Sequence, residues 1–400
     1  MKTKILILLV LSLLNLNAAD KADWATWAGP TADFKSTETK WKPKGLAKGA
    51  KILWRKNVGQ GYSQAQIKGD RLLIQGNKNN TNTVYCLNPV SGKVLWTYKY
   101  PCKNPKQFSG SALSPVFFNG KVYVAGRDSQ VICLNEKTGK EIWKKQLSKD
   151  LKVKIGMFGF VCNLKTIGKD KLLLNTGNTG VLLDAKSGKI IWGGAGKTFY
   201  GTATTYTRGG KDYYVKWGAN KVHAMSVKTG KEVWSYPWKT QHDLNSAEPL
   251  VIGTKVFISS GYNHGCALLE TKGNKVKLLW ENKNMRSHFA MPVLVDGFLY
   301  GVDGQANSNA SFVCLDLKTG KKVWSQKIGF GGFMLAGDHF VFCGEKGKLI
   351  IFERNSKKYV EISSAQTALK KQCWGTPLLC RGLLYARDND GAFICVDLRK

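Results

Sequence analysis

The 400-residue sequence lacks most features that mark membrane proteins, haem proteins and zinc sites. After Leu14 it has no apolar run of about 18 residues, so no membrane span is predicted for the mature chain. Its ten cysteines form no Cys-x-x-Cys motif, no haem-attachment motif and no zinc-type cluster. No amphipathic helix of useful length appears either, which excludes a helical solenoid.

Acidic residues are scarce: 27 Asp and Glu stand against 61 Lys and Arg, for a net charge of +34. Nucleic acid is the first partner that such a charge suggests, but the basic residues are scattered evenly over loops and turns. We therefore expect no nucleic acid partner. The charge favours solubility and attraction to anionic polymers of the cell envelope or the extracellular space.

The first residues are typical of an export signal. Two lysines precede an apolar run from Ile5 to Leu14, and Ala19 is a suitable last residue before a cleavage site. No cysteine stands at the junction, which argues against a lipoprotein. We expect residues 1–19 to be a cleaved signal peptide and the mature chain to be periplasmic or secreted; an uncleaved anchor is the alternative.

One hairpin-like unit recurs along the chain, and it consists of an apolar strand, a polar turn with glycine, and a strand ending in tryptophan. Val131–Trp143 is the clearest copy, with Gly139 at the turn position that requires positive φ. The closing tryptophans recur at the length of one four-stranded propeller blade, at positions 54, 96, 143, 192, 234, 280 and 324. An eighth unit, Lys348 to Glu361, has Tyr359 or Val360 in place of tryptophan.

The two ends of the chain complete each other. Lys51–Arg55 matches the second strand of the unit with no first strand before it, and Gly391–Leu398 matches the first strand with nothing after it. Pairing these strands closes a ring and leaves no open sheet edge. The sequence therefore predicts an all-β, eight-bladed propeller over residues 51–400, with four antiparallel strands per blade. Residues 20–50 do not repeat, and we expect a strap packed on the outside of the body.

The cysteines are placed like packing residues. Four of them occupy the same position in four repeats, which predicts small buried apolar side chains too far apart to bridge: Cys86, Cys133, Cys314 and Cys395. A single disulfide remains possible between two of five other cysteines: Cys102, Cys162, Cys343, Cys373 and Cys380.

The unit resembles the pyrroloquinoline-quinone-type (PQQ-like) β-propeller repeat, Ala-x-Asp-x-x-Thr-Gly-x-x-x-Trp, which is matched at Leu183–Trp192 and Leu315–Trp324. The opening Asp23–Pro30 and the segments around Tyr62, His264 and Arg286 are similar to exported propellers of planctomycete and related bacteria. Those are often labelled as BamB-type outer-membrane assembly factors or polyvinyl alcohol dehydrogenases. The resemblance implies the fold, with each tryptophan docked between blades, and leaves the activity undecided.

Quinone chemistry would need more than this repeat. In quinoprotein dehydrogenases of the family, the quinone lies over the propeller axis between a tryptophan and a vicinal disulfide, with calcium beside it. This chain has no Cys-Cys pair and no haem motif for electron transfer. We expect no cofactor, and PQQ with calcium is the alternative.

Polar residues gather in loops that should line one mouth of the channel. Proline cannot donate to a β-ladder, so Pro115, Pro249, Pro292 and Pro377 mark innermost strands. The loops before these strands, and those between second and third strands, supply the candidate binding residues His242, Asp243, Asn245, Glu248, His264, Arg286 and His288, with Tyr62 and Trp374 in the same funnel. Such groups could hold calcium or a quinone, or act in acid–base chemistry; the alternative is that they only satisfy one another. No catalytic residue and no metal site is assigned.

Fold alone does not decide function. We expect an exported, non-catalytic propeller that serves as a binding or scaffold module of the cell envelope. Its partner would be a protein or an anionic polymer, with a small molecule as a further option. The alternative function is a PQQ-dependent oxidoreductase acting on an alcohol or sugar.

Overall fold

The computed structural model describes residues 23–197 and 199–400, which form a ring of eight four-stranded antiparallel sheets. We number them blades 1 to 8 along the chain. The expected signal peptide lies outside the described residues. The eight-bladed propeller predicted from the repeats is confirmed.

The first four blades follow the chain without interruption of their strand order. Their strands are Gln66–Lys68, Arg71–Lys78, Thr81–Leu87 and Val94–Pro101 in blade 1; Val116–Phe118, Lys121–Ala125, Gln130–Asn135 and Glu141–Gln146 in blade 2; Lys165–Ile167, Lys171–Leu174, Val181–Asp184 and Ile190–Gly193 in blade 3; and Thr204–Arg208, Lys211–Trp217, Lys221–Ser226 and Glu232–Pro237 in blade 4.

The next four blades complete the ring. Their strands are Leu250–Ile252, Lys255–Ser260, Gly265–Lys272 and Lys275–Asn282 in blade 5; Val293–Val295, Phe298–Asp303, Ser311–Asp316 and Lys322–Lys327 in blade 6; Gly331–Ala336, His339–Gly344, Lys348–Glu353 and Glu361–Gln366 in blade 7; and Leu378–Cys380, Leu383–Arg387, Ala392–Asp397 and Ile52–Asn57 in blade 8.

Blade 8 joins the two ends of the chain. Ile52–Asn57 pairs antiparallel with Ala392–Asp397, so the N-terminal strand becomes the outermost strand of a sheet made otherwise by the C-terminus. The predicted ring closure is confirmed. In blades 1 to 7 the first strand in chain order is the innermost, and in blade 8 the innermost strand is Leu378–Cys380. The four prolines used to identify innermost strands each stand directly before one of them.

The repeated tryptophans hold neighbouring blades together. The indole N–H of Trp96 donates to the carbonyl of Glu136 in blade 2 at 3.0 Å, and its ring lies against Gly139 of the same turn. A Cβ at Gly139 would approach that ring within 2.5 Å, and φ is +69° there, so both space and backbone require glycine. Trp54, Trp143, Trp192, Trp280 and Trp324 donate to the following blade in the same way.

Short elements lie in the N-terminal strap and in the connections between blades. They are the α-helix Leu147–Asp150, the 3-10 helices Pro43–Leu46 and Gln241–Asp243, and the parallel strand pair Val153–Lys154 and Gly196–Lys197. All ten cysteines are buried, and none is bridged to another in the structure. For Cys86, Cys133, Cys314 and Cys395 this burial confirms the packing role predicted from the repeats.

Residues 23–36 of the N-terminal strap lie against innermost strands at the central channel, so the expectation that the strap packs on the outside was wrong for this part. Pro43–Leu46, later in the strap, does pack on the outside, against the two outer strands of blade 7. Trp24 forms a β-bridge with Ile67 of the innermost strand of blade 1. Two blades away around the ring, Lys35–Ser36 pairs in parallel with the innermost strand of blade 7. The innermost strands leave apolar surface facing the axis, and burying it under apolar strap residues is favourable. We call residues 23–36 the plug.

The plug turns back on itself within the channel. Ala28 and Gly29 adopt positive φ of 65° and 82°, and a Cβ at Gly29 would meet the Trp24 indole at 2.7 Å. Trp24 and Phe34, on the two arms, are each only 2% exposed. The chain leaves the channel through Glu38, whose carboxylate accepts the backbone N–H groups of the blade 8 turn at 381–382.

Candidate functional site

A cavity of about 320 Å³ opens at one mouth of the channel, and we call it the mouth cavity. Its walls are the loops that lead into innermost strands and the loops between second and third strands. The plug contributes Trp27 to the lining. The volume lies at the lower end of the range of ligand sites, roughly 300–1,000 Å³.

Aromatic side chains dominate the lining. Tyr62 stacks on Trp374 with ring centroids 5.3 Å apart and planes 15° from parallel. From Trp374 a chain of ring contacts with centroid separations of 5.3 to 5.7 Å runs in both directions, through Phe289 on one side and through Phe108, Phe158 and Tyr200 on the other. These rings come from loops of different blades, so an apolar or flat ligand would contact several blades at once.

One buried carboxylate lies in the mouth cavity. Glu248 accepts the indole N–H of Trp27, and its other oxygen lies 3.8 Å from the Lys165 ammonium. Burial raises the pKa of Glu248, while Lys165 opposes the shift. This group therefore ties the plug to blades 3 and 5 beside the cavity.

One guanidinium shapes the aromatic wall. Arg127 is 3% exposed and donates to the backbone carbonyls of Gly110, Phe158 and Phe108 at 2.6, 2.6 and 3.0 Å. Burial lowers its pKa to about 10, which leaves it cationic at neutral pH. Its N–H donors hold the two loops that carry Phe108 and Phe158, which makes it a positioning residue of the wall.

Four of the sequence-predicted residues line the mouth cavity: Tyr62, Glu248, His288 and Trp374. His288 packs against Phe289 and Tyr262, with centroids 3.8 and 5.0 Å away. Burial lowers the pKa of His288 to about 4, so its imidazole is neutral. Its Nδ1 is buried without a hydrogen-bond partner among the described residues.

The remaining predicted residues lie elsewhere. Arg286 forms a two-pronged ion pair with Asp303 at 2.7 and 2.8 Å and lines a second, polar cavity of about 380 Å³ that shares Tyr262 and Gln305 with the first. His264 packs on Trp238 at 4.4 Å. Asn245 is 1% exposed and accepts the Ser260 hydroxyl at 2.6 Å.

The predicted cluster is therefore divided rather than gathered at one point. His264 and Asn245 satisfy local packing and hydrogen bonds within blade 5 and its approach loop. Asp243 stands at the end of a 3-10 helix outside the lining of either cavity. The side chain of His242 lies outside the described residues.

Sequence reasoning found Tyr62 and Trp374 but missed the rest of the aromatic wall. Phe108, Phe158, Tyr200 and Phe289 stand in approach loops equivalent to those of the candidates, several residues before an innermost strand. That shared offset was a usable signal for these rings as well. Trp27 was noted in the strap and misplaced with it.

Calcium-bound PQQ does not fit the groups in the mouth cavity. Its carboxylates need free cationic donors, whereas the N–H donors of Arg127 are bonded to carbonyls and Lys165 is paired with Glu248. Within residues 23–197 and 199–400, no three His, Cys, Asp or Glu side chains come together as a metal-binding group. The groups that line the mouth cavity are mainly aromatic rings, which suit an apolar or flat ligand.

No helix in the part of the chain that the structure describes is long and apolar enough to cross a membrane.

Among proteins of known sequence, the chain is similar to BamB of Nitrosomonas eutropha, with 21% identity over 58% of this chain and 55% of that protein. BamB of Moranella endobia is 23% identical over 76% of this chain and 79% of that protein. The quinoprotein ethanol dehydrogenase of Pseudomonas putida is 27% identical over 45% of this chain but only 23% of that protein. The chain thus spans about half of the N. eutropha protein and a smaller part of the dehydrogenase.

Solved structures share the fold. BamB from Moraxella catarrhalis superposes with a TM-score of 0.63 and 17% identity, covering 86% of this chain and 97% of that one. The quinohemoprotein alcohol dehydrogenase of Comamonas testosteroni gives 0.67 and 13%, covering 95% and 81%. The sequence model of the outer membrane protein assembly factor BamB family matches residues 80–326, more than half of the chain. The chain therefore belongs to this family of PQQ-like propellers.

Proposed function

We propose that this chain is a non-catalytic binding propeller of the bacterial cell envelope and that it receives a protein partner at the mouth cavity. The wall of aromatic rings around that cavity is the observation that carries the proposal. Phe108 remains 43% exposed there, although an apolar ring in water is unfavourable. Aromatic groups are enriched at the centres of protein interfaces, where partner side chains exclude water from them.

The partner best suited to this site is a polypeptide segment with aromatic or aliphatic side chains. The mouth cavity offers several ring faces and one carboxylate that is already paired, so it favours apolar over charged groups. The polar cavity beside it, with Arg286 and Asp303 on its wall, would contact the main chain or polar flanks of the segment. Family membership with proteins described as assembly factors supports a protein partner.

A quinone-dependent oxidoreductase is the second candidate. The quinoprotein dehydrogenases that match this chain support the fold of such an enzyme, and the flat aromatic walls would accept a planar ring. The cationic side chains at the mouth cavity are already paired, so they do not suit the carboxylates of the quinone or its calcium. This candidate is therefore the weaker one.

Site-specific photocrosslinking tests the binding proposal. A photoreactive phenylalanine analogue is placed at Phe108 or, as matched control, at Leu95, which is 42% exposed on the outermost strand of blade 1. In living cells we expect a defined crosslinked protein from position 108 that Trp374→Ala abolishes, and no such product from position 95. Equal crosslinking from both positions would contradict the proposal.

The enzyme alternative has its own assay. The purified chain is incubated with PQQ and calcium, and dye-linked oxidation of alcohols and sugars is followed. We expect no turnover. If the wild type oxidised a substrate and Trp374→Ala abolished that activity, the result would favour the oxidoreductase and contradict the proposed non-catalytic function.

A further inference from the structure

Two cysteines from different parts of the chain meet beside the mouth. Cys343 ends the second strand of blade 7, and Cys373 lies in the segment that leads into blade 8. They are 1% and 0% exposed, and the neighbouring Cys343 side chain raises the pKa of the Cys373 thiol. The Cys343 sulfur also lies 3.8 Å from the carbonyl oxygen of Gly344. The repeat cysteines differ, since Cys133 and Cys314 lie opposite Tyr123 and Tyr300 on paired strands.

Backbone contacts hold this pair in place. The N–H of Cys373 donates to the carbonyl of Glu345 at 3.0 Å, two residues beyond Cys343. The N–H of Thr367 donates to the carbonyl of Gly347 at 3.1 Å, and a Cβ at Gly347 would meet the Leu369 carbonyl at 2.3 Å. The segment 367–373 is therefore packed tightly along the turn that follows Cys343. Backbone contacts therefore hold the two cysteine-bearing segments beside one another.

We propose that Cys343 and Cys373 form a structural disulfide in the exported protein. Each thiol loses a proton, the two sulfurs bond, and the two electrons reduce a small-molecule or protein disulfide to two thiols. Such oxidants are found in the bacterial periplasm and outside the cell, where the chain is expected. Because both sulfurs are buried in the folded ring, the exchange occurs during folding, before blades 7 and 8 dock.

The bridge would fix the wall of the mouth cavity. Cys373 directly precedes Trp374, whose indole N–H donates to the Glu345 carboxylate at 3.2 Å and whose ring stacks on Tyr62. A disulfide from Cys373 to blade 7 closes a loop of about 30 residues, and cross-links of this length restrict the unfolded chain substantially. This inference is independent of which ligand the mouth cavity binds.

Counting thiols tests the inference on the full chain. The protein is exported in bacteria, purified without reductant, unfolded in the presence of an alkylating agent and weighed by mass spectrometry. We expect eight alkylated cysteines out of ten, and a peptide containing Cys343 linked to one containing Cys373. Ten alkylated cysteines, also after refolding with oxidised glutathione, or a bridge between another pair, would overturn the inference.

Variants separate the bridge from packing. Cys343→Ser should leave nine alkylated cysteines and lower the melting temperature by several degrees. The matched control Cys133→Ser, also at a fully buried position, should retain the bridge and show seven alkylated cysteines. Reductant should lower the melting temperature of the control and have no effect on Cys343→Ser. If Cys343→Ser does not fold, the thiol count and linked peptide of the wild type decide alone.

Discussion

Replacing Trp27 by phenylalanine tests how the plug is anchored. The substitution keeps an aromatic ring against Phe34, whose centroid lies 5.2 Å away in an edge-to-face contact. It removes the indole N–H that Glu248 accepts. The carboxylate then keeps one charged neighbour, Lys165, at 3.8 Å.

The expected loss follows from the charge and burial of the acceptor. The Glu248 side chain is only 5% exposed, so water cannot replace the lost donor. A hydrogen bond to a buried charged group contributes about 1.5–3 kcal/mol to the free energy of unfolding. Trp41→Phe is the matched control, because Trp41 is also in the strap but donates to a neutral carbonyl, that of Glu38, at 3.2 Å. There we expect about 0.5–1.5 kcal/mol.

Urea unfolding followed by circular dichroism measures both variants. We expect Trp27→Phe to lower the midpoint more than Trp41→Phe with an unchanged dependence on urea concentration. The difference should shrink as the pH falls through the pKa of Glu248, because the protonated acid is a weaker acceptor. Equal effects of the two variants, or a gap that is independent of pH, would refute the charged anchor.

Three further predictions concern the ring, a buried lysine and the surface charge. Deleting residues 391–400 removes the strand that closes blade 8 and should lower the melting temperature sharply; an unchanged melting curve would contradict ring closure. Burial lowers the pKa of Lys216 to about 7 from 10.5, so between these values the unfolded chain holds a proton that the folded chain has released. The stability of the wild type relative to Lys216→Met should therefore rise with pH in that window, by up to about 1.4 kcal/mol per pH unit, and a constant difference would be inconsistent with this. Retention on an anionic polysaccharide resin should fall steeply with added salt, because counterion release dominates such binding; elution at the salt concentration of a neutral propeller would exclude it.

The ring could be predicted because its signal is repeated. Five of the seven closing tryptophans lie against a glycine in a turn of the next blade, as Trp96 lies against Gly139. One copy would be ambiguous, but seven copies at blade spacing allow few other folds. Closure was also predictable, since Ile52–Asn57 has no neighbouring strand unit before it and Ala392–Asp397, which pairs with Leu383–Arg387 on one side, is followed by no fourth strand.

The plug could not be predicted because it occurs once. Nothing in Asp23–Ser36 shows strand alternation, and its position depends on the width of a channel that only the assembled ring defines. The same limit applies to the thiol contact between Cys343 and Cys373, which are joined by backbone packing between two blades. From the sequence alone, that pair was only one of several possible disulfide pairings.

The two ends of the propeller carry different constraints. In five blades the turn between the third and fourth strands presents a glycine to the preceding blade's tryptophan, so the sequence of these turns is constrained by the fold. The approach loops at the opposite end carry no such contact, and their rings remain partly open to water, as Phe108 does. An exposed aromatic side chain adds little to the stability of the propeller, whereas a partner that covers it gains the full free energy of its burial. Substitutions of such exposed rings should therefore alter binding far more than folding, and this separation allows the crosslinking experiment at Phe108 to report on function rather than on stability.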